Sequence, residues 1–168
     1  MEHTITFDAP AEKIYADLTS REYWQTMMDA FGLAAPHAEI TSFSSGEEGT
    51  ETTFTYRVPR SNLPPMARAV MPVDMVITRE QHFSPFDHGE SRAKGRYRAS
   101  VPAGPGHFGG QYFLSDTPTG SQLRLASVCK VHIPLIGGVL EQLILSNVTL
   151  LFDAEAAFMA DWVARTQR

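Results

Sequence analysis

Three polar side chains fall where the patterning calls for apolar ones, and they are the residues best placed to do chemistry. Arg79 continues the parity of Met75 and Ile77 along an alternating stretch, so it points inward with them. Asn147 lies within the apolar stripe of a long helical run, and Glu155 lies two turns further on, near the stripe's edge. Buried polar groups require partners. These three can pair with one another or with the polar end of a ligand. An acid–base enzyme would use the same positions, with Glu155 as the only evident carboxylate.

Other candidate chemistry is weaker. Gly104-Pro-Gly-His-Phe-Gly109 fits G-x-G-x-x-G, but a dinucleotide loop needs a helix directly after it. Here Gln111-Tyr-Phe-Leu continues as strand, so no nucleotide or other cofactor is expected. His3, His37, His82, His88, His107 and His132 show no ligand spacing, and no metal site is expected. No G-x-S-x-G elbow is present. The single cysteine, Cys129, excludes an intrachain disulfide and takes an inward strand position suited to an inert thiol. Asn147-Val-Thr149 matches a glycosylation acceptor but falls inside the predicted helix.

The main electrostatic feature is a stripe of Arg92, Lys94, Arg96 and Arg98, alternating with Ala93, Gly95, Tyr97 and Ala99. Such a stripe could meet an acidic partner, a phospholipid surface or RNA. Thr78, Glu80 and His82 hold the matching outer parity of the preceding strand, so cross-strand charge pairing accounts for most of it. With a net charge of −5, no nucleic-acid partner is expected.

The elements that position these residues follow from periodicity. A chain of 168 residues suffices for one domain spanning residues 1–168. His3 to Phe7 alternates as a strand. Pro10 opens a short helix with Ile14, Tyr15 and Leu18 on its buried side. A second helix starts near Thr19-Ser20-Arg21-Glu22, at capping-box spacing, and carries Tyr23, Trp24, Met27, Met28 and Phe31 before a stop at Gly32. That cluster is either a ligand wall or a plug on one end of a sheet. Strands are then predicted over 38–44, 50–58, 73–83, 92–101, 107–115 and 121–133. The proline-bounded insert 59–72 is a lid or a sheet-edge cover, with a helical turn or two from Pro64-Pro65.

Pro134 ends the last strand and Gly137-Gly138 makes a hinge; a helix of about 28 residues, roughly 42 Å, follows. Its stripe is Leu140, Leu143, Ile144, Asn147, Val148, Leu151, Phe158 and Trp162, with Leu143 and Leu151 as sheet-facing anchors. The N-terminus lacks the regions of a signal peptide, and Glu141, Gln142, Ser146 and Asn147 interrupt the apolar run 133–152. A cytoplasmic protein with no integral membrane segment is expected.

The predicted fold class is α+β: a curved antiparallel sheet of seven strands wrapped around a long C-terminal helix, with two short helices after the first strand. The chain resembles the START-like, or helix-grip, superfamily that includes polyketide cyclases and lipid-transfer proteins, and more closely an uncharacterised bacterial family within it. The resemblance rests on Phe7 with Pro10, Tyr23-Trp24, Phe31-Gly32, Leu63-Pro64, Val101-Pro102 and Pro105-Gly106. It rests above all on Ile133-Pro134-Leu135-Ile136-Gly137-Gly138 followed by Glu141.

The resemblance implies a hydrophobic cavity between sheet and helix. Small inward residues at Ala93, Gly95, Ala99 and Gly110 are expected to leave room there. The expected ligand-binding residues are Phe54, Tyr56, Met75, Ile77, Arg79, Tyr97, Tyr112, Leu143, Asn147, Leu151 and Glu155. The favoured function is non-catalytic binding or transport of an apolar small molecule, lipid or polyketide-like. The alternatives are a cyclase- or hydratase-type enzyme and a protein-interaction module.

Overall fold

The computed structural model describes residues 1–31, 38–101, 104 and 106–166. Strand β1 (Glu2–Phe7) leads to helices α1 (Ala11–Leu18) and α2 (Arg21–Ala30). Strands β2 (Glu39–Gly46) and β3 (Gly49–Val58) follow, then a 3-10 turn (Arg60–Asn62) and the short helix α3 (Pro65–Val70). The chain continues through β4 (Met75–Phe83), β5 (Arg92–Ser100), β6 (Gly106–Thr117) and β7 (Gly120–Val131) into α4 (Gly137–Thr166). All seven strands form one sheet in the order β1-β7-β6-β5-β4-β3-β2, and every pairing is antiparallel. This is the helix-grip arrangement, with α4 lying across the sheet.

The alternation in sequence becomes one-sided burial. Along β5, Ala93 and Tyr97 are buried while Arg92, Lys94, Arg96 and Arg98 are exposed. Along β7, Leu123, Leu125, Ser127 and Val131 are buried. Two short helices close one end. Pro10 is the N-cap of α1, one position before its expected place, and the first helical N–H, of Ala11, donates to Asp116 Oδ1 at 2.7 Å. The N-cap of α2 is Ser20, whose Oγ accepts from the Tyr23 N–H. Thr19, the expected cap, instead donates its hydroxyl to the Tyr15 carbonyl at the end of α1. Trp24 Nε1 donates to the Leu18 carbonyl at 2.8 Å, which fixes the corner between the helices. The expected stop at Gly32 lies outside the described residues.

The hinge between β7 and α4 is tightly specified. Glu141 Oε1 accepts from the Val131 N–H at 2.9 Å, and this bond holds its carboxyl below the usual range. A side chain at Gly137 would meet the Val131 carbonyl at 2.5 Å. Leu135 sits at φ 72, in the left-handed region that leucine rarely enters, with its side chain fully in solvent.

In its second half, helix α4 buries a face displaced from the expected one. Leu140 is buried as expected, but Phe152, Met159 and Val163 are its other buried apolar side chains, in place of Leu151, Phe158 and Trp162. The displacement is one residue, or about 100° of rotation. Phe158 and Trp162 pack at the margin of the core. Leu143 is only partly buried and Leu151 is exposed, because the sheet recedes from this part of the helix. By length and composition α4 is apolar enough to cross a membrane, with a mean hydropathy of 1.5 over its best window, of which 11% is buried. In this fold it lies on the sheet, tied by polar contacts. His3 Nε2 lies 2.8 Å from Asp153 Oδ1, and Trp162 Nε1 donates to Asp17 Oδ1 at 3.0 Å.

The two halves of α4 should therefore respond differently to truncation. Met159→Ala is expected to cost about 2–5 kcal/mol, as closed core truncations do. Leu143→Ala or Leu151→Ala should cost about 1 kcal/mol or less, since the space opened is continuous with an existing cavity. Shifts in urea midpoint at constant slope measure both.

Candidate functional site

Beneath the first half of α4 the fold leaves a cavity of about 520 Å³. Strands β3, β4 and β5 supply Tyr56, Met75, Ile77, Tyr97 and Ala99, and strands β6 and β7 supply Phe108, Cys129 and Val131. Helix α4 roofs it with Leu140, Leu143, Ile144, Val148 and Leu151. Met27 and Met28 of α2, with Phe31 just past its end, form one wall, and Leu63, Pro64, Ala67 and Met71 of the insert form another. The roof is apolar because consecutive turns of α4 carry leucine, isoleucine and valine on the side facing the strands.

One buried polar cluster interrupts this lining, while Arg57, Asn62, His107, Lys130 and Asn147 border it at exposed positions. Arg79 Nη1 donates to Glu155 Oε1 at 2.6 Å, and Nη2 donates to the Tyr112 hydroxyl at 2.8 Å. Longer contacts run from Nη2 to Glu155 Oε2 and Gln81 Oε1, both 3.4 Å. The guanidinium also lies 5.6–5.9 Å from the ring centroids of Trp24, Phe54, Tyr97 and Phe152. A buried cation that is paired, hydrogen-bonded and set among aromatic faces meets the conditions for surviving desolvation. Burial is the largest single influence and opposes its charge, yet Glu155, together with Tyr112 and Tyr56, outweighs it and holds the Arg79 pKa well above its ordinary value.

Arg79, Phe152 and Glu155 also border a second, smaller void of about 30 Å³, lined further by Gln81 and Tyr112. These three residues thus form a partition between the two spaces. Gln81 Nε2 and Arg79 Nε are buried without a protein partner at this partition. Above it, Tyr97 and Ser127 share a hydroxyl–hydroxyl hydrogen bond.

The expected site residues divide clearly. Tyr56, Met75, Ile77, Arg79, Tyr97, Leu143, Asn147, Leu151 and Glu155 line the large cavity. Phe54 and Tyr112 do not. Phe54 is fully buried against Trp24, with ring centroids 5.0 Å apart, and Tyr112 stacks on Phe83 at 5.1 Å. Arg79 and Glu155 do pair, but Asn147 stays apart from them. Its amide donates to the Leu143 carbonyl of its own helix at 3.0 Å, and the residue is exposed rather than buried.

Of the small residues expected to leave room, Ala99 alone lines the cavity. Ala93 packs in the core. A side chain at Gly95 would meet the Phe83 ring at 2.8 Å, and one at Gly110 would run into the Ala126 carbonyl. Both glycines permit close approach rather than open space. The α2 methionines, expected as a ligand wall or a plug, and the insert, expected as a lid or a sheet-edge cover, both line the cavity, although none of their residues is among the expected ligand-binding set. The Leu63, Ala67 and Met71 spacing was the available signal, and it points to one face of a helical turn.

Cys129 lines the cavity, and burial pushes its thiol pKa up, away from reactivity. Among the described residues no group of three or more His, Cys, Asp or Glu side chains could hold a metal ion. The basic stripe is partly satisfied on the outer face, where Arg92 Nη1 meets Glu90 at 2.7 Å and Arg98 stands opposite Glu80.

All five tyrosines have raised pKa values, chiefly from burial. Tyr56 is pushed up to about 12, and Tyr112 beyond that range. Below pH 10 these phenols are neutral in both folded and unfolded chains, and the stability they confer is present in full. It is lost as the pH rises from 10 through 12, where the unfolded chain gives up its protons first. The phenolate absorbance of the native protein should lag behind that of the urea-unfolded chain across this window. Coincident titration curves would contradict the burial.

An uncharacterized protein of Mycobacterium tuberculosis is 26% identical over 162 residues, covering 94% of this chain and 92% of that one. Among solved structures, TTHA0849 from Thermus thermophilus superposes with a TM-score of 0.62 at 14% identity, covering 100% of this chain and 99% of its own. Norcoclaurine synthase from Thalictrum flavum gives a TM-score of 0.59 at 17% identity, covering 98% of this chain and 85% of the enzyme. At such identities the likeness is one of fold, the helix-grip fold. Residues 2–163 match the family described as "Protein of unknown function (DUF2505)", and the chain belongs to that family.

Proposed function

We propose that this protein binds and carries an apolar small molecule in the cavity beneath α4, without converting it chemically. The observation that carries the reading is the cavity itself. Its volume of about 520 Å³ falls within the range that takes a drug-sized ligand. Its walls are mostly aliphatic and aromatic, and of its charged groups only Arg79 and Glu155 stand in the interior, where they can orient a ligand. The START-like resemblance supports the same reading, since it implies a hydrophobic cavity in this position. The residues proposed to contact the ligand are Tyr56, Met75, Ile77, Tyr97, Ala99, Leu143, Ile144 and Leu151, with Arg79 and Glu155 at the polar end.

The test fills the space. Ala99 stands opposite Arg79 in the β4–β5 register and lines the cavity. Ala99→Phe should leave the melting temperature close to that of the parent and should abolish uptake of an uncharged fluorescent probe. In a packed core the same change would overpack it, at a cost of about 1–3 kcal/mol. A destabilised variant, from a parent that takes up no probe, would refute the carrier reading.

A further inference from the structure

The partition between the two spaces allows a statement about ligand class, one that rests on the carrier reading above. The charged groups lining the cavity fall into two sets. Arg57 and Lys130 have side chains more than half exposed, and each has an acidic neighbour, Asp74 at 3.9 Å and Glu141 at 3.6 Å. In the interior stand Arg79 and Glu155, whose side chains are 6% and 12% exposed. Their charges cancel. A third charge brought beside them would have no counter-charge, and desolvating an unpaired ion is costly.

The geometry also decides which partner a ligand meets. Both terminal nitrogens of Arg79 are committed, to Glu155 and to Tyr112, and the unpartnered Nε is buried out of reach. An incoming carboxylate would meet a guanidinium whose charge Glu155 already neutralises, with at most one Nη1 hydrogen left to offer. The more exposed member of the pair is Glu155, an acceptor, and Tyr56 borders the same cavity as a neutral phenol. A ligand group docking on Glu155 must therefore donate a hydrogen bond without carrying charge, while the Tyr56 hydroxyl beside it can accept or donate.

We propose that the cavity selects amphipathic ligands whose buried end is an uncharged hydroxyl, an aliphatic alcohol or a phenol, and that Glu155 excludes carboxylates by neutralising Arg79. Glu155 then acts as a specificity determinant as well as a ligand for the hydroxyl. Removing its charge would leave Arg79 as a lone interior cation and turn the selectivity towards anions.

The experiment displaces an uncharged probe, N-phenyl-1-naphthylamine, with three ligands of one chain length at pH 8: dodecanol, dodecyl methyl ether and dodecanoate. For the parent protein, dodecanol should displace at about tenfold lower concentration than either of the others, the ether lacking the donor and the acid carrying the charge. In Glu155→Gln the order of alcohol and acid should invert. Should that variant fail to fold, Arg79→Met combined with Glu155→Leu removes both charges, and the advantage of alcohol over ether should vanish. Equal or better displacement by dodecanoate in the parent overturns the proposal, as does an ether that matches the alcohol. Unchanged ranking in Glu155→Gln, or an alcohol advantage that survives the double substitution, overturns it too. Any of these results with probe uptake intact leaves the carrier reading standing; a parent that takes up no probe ends both.

Discussion

The fold turns on one buried cation. Arg79 sits near the middle of the sheet, on β4, where it is almost wholly buried and most of its neighbours are aromatic. Taking a guanidinium and a carboxylate out of water costs several kcal/mol per ion, and only a short, well-supported pair recovers it. Glu155 is that support, and it arrives from a different element, 76 positions later in the chain. The pair consequently fixes the rotation of α4. With Glu155 turned to Arg79, Phe152 and Met159 one turn to either side must face the sheet.

That rotation determines what the earlier part of the helix can do. The side chains of Leu143, Ile144 and Leu151 border the cavity rather than entering the packed core. A helix that would otherwise read as a core element thus has two roles. Its second half is an anchor, held by Met159, Val163 and the Trp162–Asp17 contact, and its first half is a roof. The short hydrogen bond from Val131 to Glu141 sets where the roof begins, and explains the glutamate that follows the Gly137-Gly138 hinge.

Most of the architecture was legible in the sequence because one-sided sheets write their burial as alternation, and β5 and β7 do so with few exceptions. The helix face was not legible, because α4 is apolar on more than one side. The periodicity of Leu143, Ile144 and Leu151 reports contact with something apolar, and a cavity wall gives the same signal as a core. Glycines misled for a related reason. Composition cannot tell a glycine that leaves space from one that lets Phe83 or a neighbouring carbonyl come close, as at Gly95 and Gly110. Arg79 and Glu155 were visible because a charged residue in an inward register demands a partner. Asn147 answered that demand within its own helix turn, an outcome that side-chain type alone does not disclose.

The strand order has a consequence for how the chain is made. β1 pairs with β7, Glu2 opposite Ala126, so the strand synthesised first lies beside the one synthesised last. At 5–20 residues per second, β1 waits roughly 6–25 s on the ribosome before its partner exists. The hairpins from β2 to β7 are local and can form in order, but the β1 edge, with the two helices that follow it, cannot settle until β7 is out. Docking of α4 comes later still, and with it the counter-ion for Arg79. For that interval the nascent protein holds an open strand edge and a lone arginine among aromatic rings, and it is the state in which a chaperone has most to protect.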